Sequence, residues 1–116
     1  MKRILLLITL ATMFFSIPTM ASQDSRRAEG YQREAEYYQK RAEGYRREAA
    51  YYLRKAEGYQ REAAYYTRQG NIDRAQQYSR YAKNEMDRYT MQMRWALEAD
   101  EKAAMYLRWA ADALRR

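Results

Sequence analysis

The sequence predicts an all-α protein, a long antiparallel two-helix hairpin with an alanine seam, and three observations predict it. One fourteen-residue phrase is stated three times between residues 27 and 68, as RAEGYQREAEYYQK, RAEGYRREAAYYLR and KAEGYQREAAYYTR. Within it, alanine recurs at 28, 35, 42, 49, 56 and 63, and tyrosine at 31, 38, 45, 52, 59 and 66. A second alanine row at 75, 82, 96, 103 and 110, with Tyr89 in one slot, follows a break and is out of phase with the first.

The first 21 residues read as a leader. Met1-Lys2-Arg3 is a short basic start, Ile4 to Ile17 carries no charge, Pro18 breaks the run, and Thr19-Met20-Ala21 offers a small residue at the cut. That order predicts a secretory signal peptide cleaved after Ala21, and hence an exported protein, periplasmic or secreted. The apolar run is shorter than the ~20 residues that span a membrane as a helix. Cysteine is absent, so disulfides cannot staple the exported chain and helix packing must hold it. Losing Lys2 and Arg3 from the 22 Lys+Arg leaves 20 against 15 Asp+Glu, a net charge of +5 on residues 22–116.

Helix one is expected over about 26–68. Spacings that alternate three and four put the alanine and tyrosine rows along one stripe, and a sustained seven-residue period is the pattern of a coiled coil. Good helix formers, chiefly Glu, Arg, Gln and Ala, fill the other positions. Glu29–Arg33, Glu36–Lys40, Glu43–Arg47 and Glu57–Arg61 have the favourable acid-before-base order, worth roughly 0.3 kcal/mol each on an exposed face. Glycines 30, 44 and 58 each cost about 1 kcal/mol relative to alanine in a helix. They share one heptad position with Tyr37, Tyr51 and Tyr65. Two readings stand: a tolerated glycine copied by tandem duplication, or large–small alternation that interdigitates with the ring of a second helix.

A turn is expected over 69–72, because glycine ends helices and Asn71 can cap the next one. Ala56 and Ala82 lie 26 residues apart, two short of 28. A continuous coiled coil slips by three or four, so this shift marks a reversal. Helix two is expected over about 73–114, each arm being on the order of 60 Å long. The residues GNIDRAQQYSRYA at 70–82 resemble half a tetratricopeptide repeat, with Gly70, Ile72, Ala75 and Ala82 in place. Ser79 stands where that family has a large aromatic residue, no proline closes the unit, and the period is fourteen rather than 34, so that fold is not expected.

The rings exceed what one seam can hide. Thirteen tyrosines and two tryptophans remain after the leader, and Arg80-Tyr81-Ala82, Arg94-Trp95-Ala96 and Arg108-Trp109-Ala110 carry the fourteen-residue period into helix two. An apolar strip in water marks an association surface. The expectation is therefore an exported structural or scaffolding protein that self-associates into a helical bundle, or binds another helical protein. Tyr37, Tyr51, Tyr65, Trp95, Tyr106 and Trp109 are its candidate contacts. The alternative is a binder of acidic polymer or of an envelope or membrane surface. Its candidates are Arg33, Lys40, Arg47, Arg54, Arg61 and Arg68, a basic stripe with about 10 Å between neighbours.

Enzyme chemistry has little to draw on. Histidine is absent, so no catalytic residue, metal ligand, cofactor or small-molecule substrate is indicated. Met86, Met91, Met93 and Met105 offer thioethers of the kind that bind copper(I), but packing accounts for them better, Met86 and Met93 being placed at the seam. Asp100 falls between Ala96 and Ala103 and is read as a register-fixing polar residue or as an exposed edge.

Overall fold

The computed structural model describes residues 19–115, with side chains from residue 23. Two helices, α1 (Thr19–Arg68) and α2 (Ile72–Arg115), form the expected antiparallel hairpin. Residues 1–18, most of the expected leader, lie outside the described residues. At ~1.5 Å per residue the arms are about 75 and 66 Å long, somewhat more than expected.

The longer α1 has a local reason. Asp24 and Ser25 are capping types that invite a start near Arg26, yet nothing between Pro18 and Arg26 breaks a helix, and α1 runs through them from Thr19. Its other end falls at Arg68, as expected. Gly70 takes the left-handed φ of 77° that only glycine adopts without strain. With it, the Asn71 amide donates to Tyr66 O at 2.9 Å and the Gly70 amide to Thr67 O at 3.1 Å. These crossed bonds satisfy two carbonyls that the end of α1 leaves open. Asn71 Oδ1 then accepts from the Arg74 amide at 3.3 Å, capping α2 three residues on. The turn is thus Gln69-Gly70-Asn71, one residue shorter than expected, because Ile72 already belongs to α2.

Among the described residues, every buried apolar side chain is an alanine. Thirteen alanines are buried: the six of α1, the five predicted in α2, and Ala99 and Ala113 beside them. Ala28, Ala110 and Ala113 pack together with Tyr31 against them at the open end. At roughly 0.8 kcal/mol per buried methylene-sized group, thirteen methyls contribute on the order of 10 kcal/mol, an upper bound. No large side chain is fully buried among the described residues, so the rings pack along the edges of this narrow seam. Met93 is 38 % exposed, and so does not occupy the seam place expected of it. That row belongs to Tyr89, seven residues from both Ala82 and Ala96.

Candidate functional site

The tyrosine row of α1 meets α2 along one face of the hairpin, and the contact repeats. Tyr31–Trp109, Tyr45–Trp95 and Tyr59–Tyr81 have ring centroids 5.7, 5.7 and 5.5 Å apart at interplanar angles of 63°, 58° and 56°. Between them, Tyr38 stacks on Tyr106 at 5.8 Å and 9°, and Tyr66 on Tyr78 at 5.5 Å and 8°. Each step of fourteen along α1 is matched by a step of fourteen back along α2. The repeat is therefore a property of the whole hairpin, and a helix with only an internal repeat would not reproduce pair geometry so closely.

Three units follow. In the outermost, Arg27, Tyr31, Trp109, Asp112 and Ala113 line a cleft of about 380 Å³. In the middle one, Arg41, Tyr45, Trp95, Glu98 and Ala99 stand at the equivalent positions around a cleft of about 280 Å³, with Tyr38 and Lys102 closing one end. Every one of these five positions is displaced by fourteen from its counterpart, upward in α1 and downward in α2. The third unit, next to the turn, carries Lys55, Tyr59, Tyr81, Asn84 and Glu85 at those positions.

In the third unit a carboxylate replaces the alanine floor. Glu85 is 6 % exposed, and its Oε1 lies 3.6 Å from Lys55 Nζ and 3.3 Å from Arg88 Nη1. Its other oxygen, Oε2, is buried without a hydrogen-bond partner, as is Oε1 of Gln92. Burial works against the Lys55 charge, yet the Glu85 carboxylate and the Tyr51 and Tyr59 hydroxyls outweigh it, so the Lys55 pKa is raised. Arg88 also lies over the Tyr52 ring at 5.8 Å, where Gln92 takes the place that Tyr78 and Tyr106 fill in the flanking stacks. Charge thus concentrates in the unit next to the turn.

Arg41 is held in place without a carboxylate. Its guanidinium donates to the hydroxyls of Tyr45 at 2.7 Å and Tyr37 at 3.1 Å and lies 5.7 Å from both ring centres. The hydrogen bond it donates to Tyr45, then that to Tyr37, raises its pKa above the ordinary value.

Asp100 lies on the opposite flank of the seam, 40 % exposed, and pairs with Arg46 of α1. It is an edge residue, and the buried acid is Glu85, which the sequence reading passed over. The signal for Glu85 was present, since it stands fourteen residues before Ala99 and 28 before Ala113 in a row that also holds Tyr78, Gln92 and Tyr106. Glu29–Arg33, Glu36–Lys40, Glu43–Arg47 and Glu57–Arg61 do not close as ion pairs, which among the described residues are confined to Arg46–Asp100 and the Glu85 cluster.

The six candidate association rings separate into two sets. Trp95, Tyr106 and Trp109 take part in the contacts with α1, though Trp95 and Trp109 stay 40 % and 42 % exposed. Tyr37, Tyr51 and Tyr65 stand on the outer side of α1, about half exposed, each edge-on to the next tyrosine in sequence. A Cβ built on Gly30 meets nothing within 4 Å, and one on Gly44 or Gly58 meets only the tip of Arg47 or Arg61. The hairpin itself leaves these notches open. The stripe Arg33, Lys40, Arg47, Arg54, Arg61 and Arg68 is exposed beside them.

No helix among the described residues is long and apolar enough to cross a membrane, and they hold no group of three or more His, Cys, Asp or Glu arranged for a metal. Compared with protein families, curated proteins and solved structures, the chain matches none.

Proposed function

We propose that this is an exported structural or scaffolding protein that performs no catalysis and acts by helix–helix association, with a second copy as the simplest partner. One observation carries the reading: the outer row of α1 alternates half-exposed rings with notches every seven residues, and no ring of the hairpin fills those notches. A second α1, antiparallel or shifted by seven, sets Tyr37, Tyr51 and Tyr65 over the bare backbone at glycines 30, 44 and 58. The ring buries its face, and the missing Cβ lets it approach. The product is a four-helix arrangement.

Gly30→Ala, Gly44→Ala and Gly58→Ala together test it, because the two roles of these glycines have opposite signs. In the lone hairpin the change adds helix propensity, about 1 kcal/mol per site, with room for each methyl. In the assembly the methyls fill the notches. Sedimentation is expected to show loss of the oligomer while helicity and thermal midpoint rise at low concentration. An oligomer that survives the three methyls would refute the notch as its basis.

The reading as a polyanion or surface binder gains from the six stripe cations making no ion pair among the described residues. Retention on an acidic polymer that weakens steeply with salt, and is lost on replacing Arg47, Arg54 and Arg61 by Gln, is its signature.

A further inference from the structure

The repeated clefts beside the tyrosine row adjoin the glycine notches, Gly44 lining a neighbouring cleft with Arg41 and Tyr45, and the molecule contains its own guide to what they take. At the third unit the floor residue is Glu85, whose carboxylate approaches Lys55, the counterpart of Arg41 and Arg27. At the other two units the floor is Ala99 or Ala113, both buried, and the space above stays open. The same frame therefore holds a carboxylate where the chain supplies one and leaves room for one where it does not. We propose that the two open clefts each bind a carboxylate-bearing sugar ring, a uronate, and that together they grip successive parts of an acidic polysaccharide.

Each wall asks for one feature of that ligand. Arg41 is a guanidinium held in position by two phenol oxygens, ready to meet a carboxylate without first being ordered. Trp95 and Tyr45, or Trp109 and Tyr31, present partly exposed ring faces that suit the apolar face of a sugar. Glu98 and Asp112 repel a simple anion and reward hydrogen-bond donors, which hydroxyl groups supply. A free aromatic amino acid also carries a carboxylate, a donor and a ring. The fourteen-residue repeat decides against it. Two like clefts in line along one face, about 21 Å apart by helix rise, match a polymer of like units, and a ligand gripping both gains from effective concentration.

Trp95 and Trp109 are the only tryptophans of the chain, and one lies in each cleft, so their fluorescence reports occupancy directly. The experiment titrates the full hairpin with galacturonate, with an oligogalacturonide long enough to span both clefts, and with phenylalanine. Expected are a tryptophan response to both uronate probes and at least tenfold tighter binding of the oligomer. Ala99→Glu with Ala113→Glu, which gives both open units the floor of the third, is expected to abolish the response. Ala104→Glu with Ala111→Glu adds the same charge at exposed positions of the same helix and is expected to leave it unchanged, with circular dichroism checking the fold of both variants. Equal affinity for monomer and oligomer would overturn the polymeric ligand. A response to phenylalanine alone, none to either uronate, or full binding by the Ala99→Glu/Ala113→Glu variant would overturn the sugar site. Loss of binding on replacing Arg47, Arg54 and Arg61 by Gln would assign it to the outer stripe instead. The outcome is separate from that for assembly, because tryptophan fluorescence reads the clefts above Ala99 and Ala113 whereas sedimentation of the glycine variants reads the oligomer.

Discussion

The unit next to the turn and the two units beyond it share one scaffold and one tyrosine, and the third has Lys55, Tyr81, Asn84 and Glu85 where the others have arginine, tryptophan, an acid and alanine. Ala99 and Ala113 floor open clefts beside ring and cation, whereas the third unit has a buried, ion-paired carboxylate at that position. The alanine seam and the tyrosine row continue through all three without a change of register. A repeat of this kind separates two tasks: methyls in the seam keep the helices together, and the adjoining row is free to diversify. Polarity enters where the aromatic series is interrupted, at Glu85 and Gln92, and the two orphan oxygens lie there as well.

The largest effect should come from inverting the charge that sets the units apart. Glu85→Lys places a third cation against Lys55 and Arg88 at a buried position and is expected to cost about 3–5 kcal/mol, the penalty for an uncompensated buried charge. Glu85→Leu should cost much less, since Lys55 and Arg88 are 35 % and 59 % exposed and can turn to water. Urea unfolding of the two variants checks the order. If both cost the same, Glu85 acts through its volume and the charge distinction between the units fails.

The hairpin itself was legible in the sequence because seam positions are enforced by sterics. Only a small residue lets two backbones lie this close, so the alanine rows and the two-residue phase break announce both the pairing and the reversal. Gly70 and Asn71 were legible for the same reason, one backbone conformation and one cap. The clefts were not. Their parts come from both helices, and Arg27 joins Asp112 only once the register is known. Glu85 was hidden among carboxylates that look alike in sequence, because Glu98 and Glu101 four positions after Arg94 and Leu97 say nothing of burial. The acid-before-base pairs of α1 misled for the opposite reason: spacing permits an exposed pair and supplies too little energy to hold it closed.

A smaller loss is expected at the turn that bounds the Glu85 unit. Gly70→Ala keeps the Asn71 cap but forces a Cβ into φ of 77°, at about 1–2 kcal/mol. A midpoint unchanged in thermal unfolding would show that the two crossed hydrogen bonds do not hold the turn in that conformation.

The Glu85 unit should also be the one that responds to alkali. The folded pKa of Lys55 is raised from its ordinary 10.5, so the stabilisation it brings is complete below the unfolded value and is lost as pH rises through the folded one. The comparison with Lys55→Arg is the informative one, because every other group is common to the two chains. The variant keeps its charge, so its thermal midpoint should fall less between pH 9 and 11.5 than that of the parent chain. Parallel curves would mean that the Lys55–Glu85 contact adds no pH-dependent stability.

The smallest effect is expected on the flank opposite the clefts, at Arg46 and Asp100. The pair spans the two helices as the Lys55–Glu85 pair does, but both partners are close to half exposed, 46 % and 40 %. Water solvates each charge when the other is removed, and salt screens what attraction remains. A double-mutant cycle over Arg46→Ala and Asp100→Ala should give a coupling of about 0.2–1 kcal/mol that fades in high salt. The comparison turns on burial, since the two interhelical ion pairs differ most in what surrounds their carboxylates. A coupling at Arg46–Asp100 as large as the penalty for Glu85→Lys would make Asp100 the register-fixing acid after all, and would leave the buried carboxylate of the third unit as a local substitution without a structural role.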